Sequence, residues 1–246
     1  MTAASANRLM ELIVARLTGV LASDGFIGCP PWTGRSEAQP GTQYPEWRDA
    51  WFESVNGSEP NVTAVIEAKL LRDGGSVGLV GVAWLMSNAV ANVVAELPSE
   101  ALASSGNRVP ARLESIEFGF FQNPQNVGLA RIWISEEANV DYCVDLFMEY
   151  MHGSVRDWLD SRSNVSDLLV LAPTATETAI DRSNPDPVRL RGTVILTLLA
   201  QRTEEAAALM QLYRERKSYH NWDSADRVEA FHNALVALFP GYGAGQ

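Results

Sequence analysis

The chain is poor in the residues that most catalytic and metal sites draw on. It has three histidines and two cysteines in 246 residues. Cys29 and Cys143 stand far apart and neither belongs to a CxxC pair, so zinc has no anchor. One bridge between them is arithmetically possible, but no disulfide framework is implied. Two separate thiols fit a reducing compartment, and the expected location is the cytoplasm. No GxxxxGK, HExxH or GxSxG occurs, which removes the P-loop, the zincin helix and the nucleophile elbow. Gly75-x-x-Gly78-x-x-Gly81 lies within a strand pattern rather than between a strand and a helix, so it is not a dinucleotide fingerprint. No run of 18 apolar residues exists, and no membrane-spanning helix is expected. Residues 4–22 are apolar, but Arg8, Glu11 and Arg16 interrupt them and no basic segment precedes them, unlike a signal peptide. The sequons at Asn56, Asn61 and Asn164 are therefore read as chance matches. Basic residues are also scarce: 19 Lys and Arg against 30 Asp and Glu give a net charge of −11. That balance excludes a nucleic-acid binder that needs clustered cations for phosphates.

What is present is enough apolar material for a core, at 46% hydrophobic residues. Leu9, Leu12, Ile13, Leu17 and Val20 recur at helical spacing over 5–21, and Asp24-Gly25 ends that helix. Residues 28–46, rich in Pro and Gly, read as a loop. Pro45 to Phe52 reads as a short helix with Trp47 and Trp51 one turn apart. Val62–Leu71 and Val77–Leu85 read as a hairpin about Asp73-Gly74-Gly75, with Gly78 and Gly81 marking a bulge. Ser87 or Asn88 caps a helix to Leu97. Leu113–Phe121 and Leu129–Ile134 read as a second strand pair turning at Asn123-Pro124. From Asn139 onward the period is helical: one helix near 140–159, a short one capped by Ser166, a pair at 189–199 and 204–216, and a last one over 223–238. Strands cluster and then helices cluster, so the expected class is α+β. It comprises an N-terminal helix, a central, mostly antiparallel sheet of about four strands, and a C-terminal helical region. One domain over 1–246 is expected, with a secondary division into 1–137, helix plus sheet, and 138–246, helical.

The sharpest polar pattern is Glu137, Asp141, Asp145 and Glu149, one acid every four residues on the helix after the sheet. Like charges at that spacing cost a helix a few tenths of a kcal/mol per pair. Such a stripe reads either as a docking surface for a basic protein, as a divalent-cation site, or as the solvated face of an acidic protein. Glu229-x-x-His232 shares a helix face, but the di-iron template needs two such motifs and two further carboxylates, so no metal and no cofactor are expected. No catalytic residue is assigned. Asp73, Glu117, His152 and His220 remain the residues that would converge if a dispersed enzymatic or ligand site existed. Trp47, Trp51 and Trp133 read as core residues first and interface anchors second.

Asp24-Gly25-Phe26 after the opening helix, the strand pair at 62–85, the segment from Trp158-Leu159 to Leu169, and Gln201-Arg202-Thr203-Glu204 between apolar helices resemble a family of bacterial domains of unknown function, some found near toxin-immunity loci. The Gly-rich strand and residues 28–46 depart from it. The resemblance implies no catalytic residues. Taken with the negative charge, the acidic stripe and the absence of a catalytic constellation, it points to a non-enzymatic protein-interaction role, with toxin neutralisation as its specific form and a basic protein as the expected partner. Two alternatives stay open: an enzyme or small-ligand binder with a dispersed site, and a structural or accessory component of a phage or bacterial assembly.

Overall fold

The structure, a computed structural model, describes residues 3–31, 47–55, 61–103, 111–119, 130–174, 187–215 and 223–243. The elements in chain order are α1 (Ala3–Ser23), β1 (Phe26–Cys29), β2 (Trp47–Ser54), β3 (Thr63–Asp73), β4 (Ser76–Met86), α2 (Asn88–Glu96), β5 (Arg112–Phe118), β6 (Ile132–Ile134), α3 (Val140–Tyr150), α4 (Arg156–Asp160), α5 (Val165–Leu171), α6 (Pro187–Leu199), α7 (Thr203–Glu215), α8 (Ala225–Leu238) and α9 (Pro240–Gly243). An N-terminal helix, an antiparallel sheet and C-terminal helices make this an α+β fold. Its residues fall into two compact units. The first draws on 1–57, 63–84 and 115–160, the second on 58–62, 85–114 and 161–246. The expected junction at 137/138 lies inside the first unit.

The sheet has six strands in the order β1-β2-β3-β4-β5, with β6 also on β4. The hairpin between β3 and β4 turns at Gly74, whose φ of 57° suits a residue without Cβ. Residues 47–52 do not form the expected helix. They are strand β2, whose backbone pairs with β3 from Trp47↔Leu71 to Glu53↔Val65. Trp and Phe favour strands, and the ladder to β3 gives this segment backbone partners that a one-turn helix would lack. The expected loop from residue 28 likewise begins with β1, which pairs Cys29 with Trp51.

Two further expectations need correction. Residues 132–134 pair with β4, not with the strand at 113–121, although Arg131 N–H does donate to Gly119 O at 2.7 Å. Gly78 sits in an unbroken register with β6, through Val77↔Ile134, Gly78↔Trp133 and Leu79↔Ile132, with no bulge there, and Gly81 lies beyond that pairing. They are glycines for space. A Cβ at Gly78 would lie 2.7 Å from that of Ala130, and one at Gly81 would run into the Phe118 ring. The Asn123-Pro124 turn lies outside the described residues.

In the first unit α1 turns Ala6, Leu9, Ile13, Leu17 and Leu21 inward, each at or near zero exposure. That stripe packs on α3, β1 and β2. In the second unit α6 is buried all round from Arg189 to Leu198, its arginines and threonines included. It lies against α2, α5 and α7. Gly192 lets it approach β5, because a Cβ there would sit 2.9 Å from Leu113 Cδ2. Ser87 Oγ caps α2 by accepting from Val90 N–H. α5 is capped by Asn164, not by Ser166, through the Asp167 N–H. Asparagine suits that position because its side-chain oxygen reaches the third residue on.

Candidate functional site

The expected acidic stripe lies wholly in the first unit. Glu137 occupies a 3₁₀ turn, Glu137–Asn139, that leads into α3, and Asp141, Asp145 and Glu149 follow along the helix, all four exposed. Cys143, Val144, Phe147 and Met148 on the other side are buried. Two members of the stripe meet cations of α1. Arg8 Nε lies 2.5 Å from Glu137 Oε1, and Arg16 Nε lies 2.7 Å from Asp141 Oδ1. These pairs supply the opposite charge that the stripe itself lacks, from more than a hundred residues away. Tyr142 stands beside the acids at 66% exposure, the most exposed aromatic among the described residues.

Among the described residues of the expected dispersed site, Asp73, Glu117 and His152 line none of the cavities described below. Asp73 and Glu117 are exposed. His152, also exposed, lies in the π-helical turn Met151–Val155 and meets Asp24 Oδ2 at 2.7 Å through Nε2. His220 and the side chain of Trp47 lie outside the described residues. Trp51 is buried, and Trp133 packs over Gly78. Glu229 and His232 turn to different partners: Arg214 donates to both oxygens of Glu229 at 2.6 and 3.0 Å, while His232 Nδ1 faces Tyr242 Oη at 3.2 Å. Both residues line an open groove of about 820 Å³ between α7 and α8, with Glu204, Gln211, Arg214 and Glu215. Among the described residues no three His, Cys, Asp or Glu side chains are grouped to hold a metal ion. No described helix is long and apolar enough to cross a membrane.

Three buried polar clusters carry the charges that sequence reasoning did not single out. Two hang from α6 in the second unit. Glu114 accepts from Arg162 Nε at 2.9 Å, Arg162 Nη2 at 3.3 Å and Arg189 Nη1 at 2.9 Å. Arg189 also donates to Thr174 O, and its Nε has no hydrogen-bond partner. Two residues further along α6, Arg191 donates to Asp223 Oδ2 from Nε at 2.8 Å and from Nη2 at 2.5 Å. Tyr213 Oη adds a third bond to that oxygen at 2.5 Å, Arg191 Nη1 donates to Ala101 O, and the guanidinium lies 4.3 Å from the centre of the Phe231 ring. Burial pushes the Tyr213 phenol well above its ordinary value, so it stays a donor. The only described space beside Arg191 is about 20 Å³, room for one water. These clusters fasten α6, and among the described residues neither lines a ligand-sized cavity.

The third cluster is in the first unit, on one side of β2, β3 and β4. Trp51 faces Glu67 and Asp49 faces Lys69 across the β2–β3 ladder, so all four share a sheet face. Glu67 is 4% exposed. Its Oε2 accepts from Trp84 Nε1 at 3.0 Å and lies 3.6 Å from Lys69 Nζ. The Trp84 ring stacks on Trp51 with centroids 6.0 Å apart. Burial pushes the Glu67 carboxyl up to about 7, against the pull of Lys69 and with help from the negative charge of Asp49. Asp49 belongs to a residue that reaches solvent, yet its own carboxyl is crowded enough that burial raises it too, with Lys69 opposing. Asp49 and Trp51 also line a cavity of about 390 Å³ against Arg48, Thr18 and Pro30. The sequence did hold a signal. Glu67 and Lys69 alternate within an apolar strand, and Arg189 and Arg191 interrupt an apolar helix; both patterns announce charges that must find partners inside.

Compared with protein-family models, with curated proteins and with solved structures, the chain matches none.

Proposed function

We propose that this protein is a non-enzymatic protein-interaction module whose α3 face docks a basic protein partner, with toxin neutralisation as the specific form. The observation that carries the reading is Tyr142, 66% exposed on the helix that bears Asp141, Asp145 and Glu149. Arg8 and Arg16 hold one end of the stripe to α1. Asp145 and Glu149 stand exposed at the other end, where a partner's lysines or arginines would extend the same ladder. The net charge of −11 favours fast encounter with a cation-rich surface, and such steering weakens with salt. Tyr142 then serves as the anchor, taking a guanidinium or ammonium on its ring. Two thiols, Cys29 and Cys143, suit a cytoplasmic setting.

Affinity capture with the purified chain as bait tests this reading, run beside a bait carrying Tyr142→Ala and Asp145→Lys. The wild type should retain a basic protein that the variant loses. The purified pair should dissociate tenfold or more readily after the double change, equivalent to about 1.4 kcal/mol or more, and binding should weaken as salt rises. Equal capture by both baits, or affinity indifferent to salt, would remove the α3 face from the function.

A further inference from the structure

Of the buried acids described, Glu67 has the least secure partners, and it belongs to neither α3 nor the arginine clusters. Three strands supply the described groups that act on it. β2 contributes Asp49 and the Trp51 ring, its own strand contributes Lys69, and β4 contributes the Trp84 indole. One ammonium therefore serves two carboxylates. We propose that Asp49, Glu67 and Lys69 form a proton-operated switch, in which uptake of one proton by Glu67 passes the Lys69 ammonium to Asp49 and alters the charge of the cavity wall that Asp49 lines.

The geometry supports each step. With Glu67 ionised, Lys69 Nζ is held at 3.6 Å from Oε2 while its strand position stands directly across from Asp49. When solvent supplies a proton to Glu67, the acid becomes neutral and no bond between heavy atoms changes. The Trp84 N–H still has an oxygen to donate to, so the indole stays in place. The attraction on Lys69 from Glu67 falls, and the attraction from Asp49 across the ladder remains. The cluster gains one unit of positive charge in total. Asp49 becomes the neutralised partner, so the wall it shares with Trp51, Arg48 and Thr18 loses its net negative contribution. A buried acid that meets a second acid and one shared cation is the arrangement in which protonation near neutrality decides between two pairings. The arginine-held acids of the second unit lack it, since neither shares its cation with a second acid in the contacts described above. The inference does not depend on the α3 surface.

Tryptophan emission followed between about pH 5 and pH 9 tests the switch, because a carboxyl changing charge beside the stacked Trp51 and Trp84 rings changes their quenching. Wild type should show a one-proton transition centred near pH 7. Glu67→Gln should lack it. Asp49→Asn should move it to lower pH, because the neighbouring negative charge is gone, and Lys69→Met should move it to higher pH. The Asp49→Asn shift keeps the test readable should Glu67→Gln fail to fold. The ¹⁵N resonance of the Lys69 ammonium should titrate with the same midpoint. A flat emission profile in the folded wild type, a transition that survives Glu67→Gln, an unmoved midpoint in Asp49→Asn, or a Lys69 resonance blind to the transition would each overturn the proposal.

Discussion

Glu67 in the first unit and Glu114 and Asp223 in the second lie equally far from solvent, at 4%, 4% and 1% exposure. Their surroundings differ. Glu114 takes three N–H bonds from two guanidinium groups, and Asp223 takes two from Arg191 and one from Tyr213. Glu67 has one indole N–H and a lysine held at 3.6 Å. Arginine stays charged at every accessible pH and matches a carboxylate with a planar fork, whereas lysine is a single mobile point charge. Burial alone therefore does not define a buried acid's role. Fork-bound acids fasten α6 to its neighbours, and a weakly held acid is left free to change its proton.

The largest expected effect tests the fastening half of that contrast. Among the described residues, Arg191→Met leaves buried Asp223 with Tyr213 as its remaining side-chain donor and with an Oδ1 that has no hydrogen-bond partner. An uncompensated buried charge costs about 3 to 5 kcal/mol. Urea denaturation should show that loss, and Arg191→Met with Asp223→Leu should recover most of it by removing both charges. A loss under about 1 kcal/mol would show that the pair fastens nothing.

The second effect is smaller and depends on pH. The Glu67 carboxyl is raised from 4.5 to about 7 in the folded chain. The folded state thus binds the proton more tightly than the unfolded one, and the stability this group contributes is fully present below about pH 4.5 and lost as pH rises through 7. Glutamine mimics the protonated acid. Glu67→Gln should match wild type near pH 4.5 and exceed it above pH 7 by roughly 3 kcal/mol. Chemical denaturation at both pH values measures this. A Gln variant less stable than wild type at high pH would mean that Lys69 and Trp84 hold Glu67 as firmly as arginine holds Asp223, and the contrast would collapse.

How much of this was legible in the chain follows from the range of each interaction. α1 and the β3–β4 hairpin were readable because their signals are local: an apolar residue every three or four positions, and Asp73-Gly74 at a turn that needs a positive φ. β2 was not. Trp47 and Trp51, four apart, occupy one face of a helix or one face of a strand alike, and only the ladder to residues 65–71 decides between them. The partner of β6 was equally hidden, because three residues carry no mark of which neighbour they join. The acidic stripe was visible as a period of four. Its arginines were not, since Arg8 and Glu137 are separated by 129 positions. Glu67 and Lys69 were in plain view as an alternating pair, but their burial depends on Trp51 and Trp84 arriving from other strands. Arg189 and Arg191 could have been flagged inside an apolar helix, yet nothing local names Glu114 and Asp223 as their acids.

The smallest expected effect concerns a pair that looks better than the Lys69–Glu67 contact on distance alone. Arg16 Nε lies 2.7 Å from Asp141 Oδ1, nearly an ångström closer than Lys69 Nζ lies to Glu67. Its side chains are 46% and 75% exposed, so water solvates both charges whether or not they meet. Such a pair contributes about 0.2 to 1 kcal/mol, and salt at 0.15 M screens it over roughly 8 Å. Arg16→Ala should therefore cost well under half of what Glu67→Gln gains at high pH, and the cost should vanish in 1 M salt. The same change leaves Asp141 exposed beside Tyr142 and lengthens the anionic face available to a basic partner, so affinity should rise while stability falls slightly. A stability loss as large as that of Arg191→Met would make distance, and not burial, the quantity that ranks these pairs. Affinity falling along with stability would instead make Arg16 part of the docking surface itself.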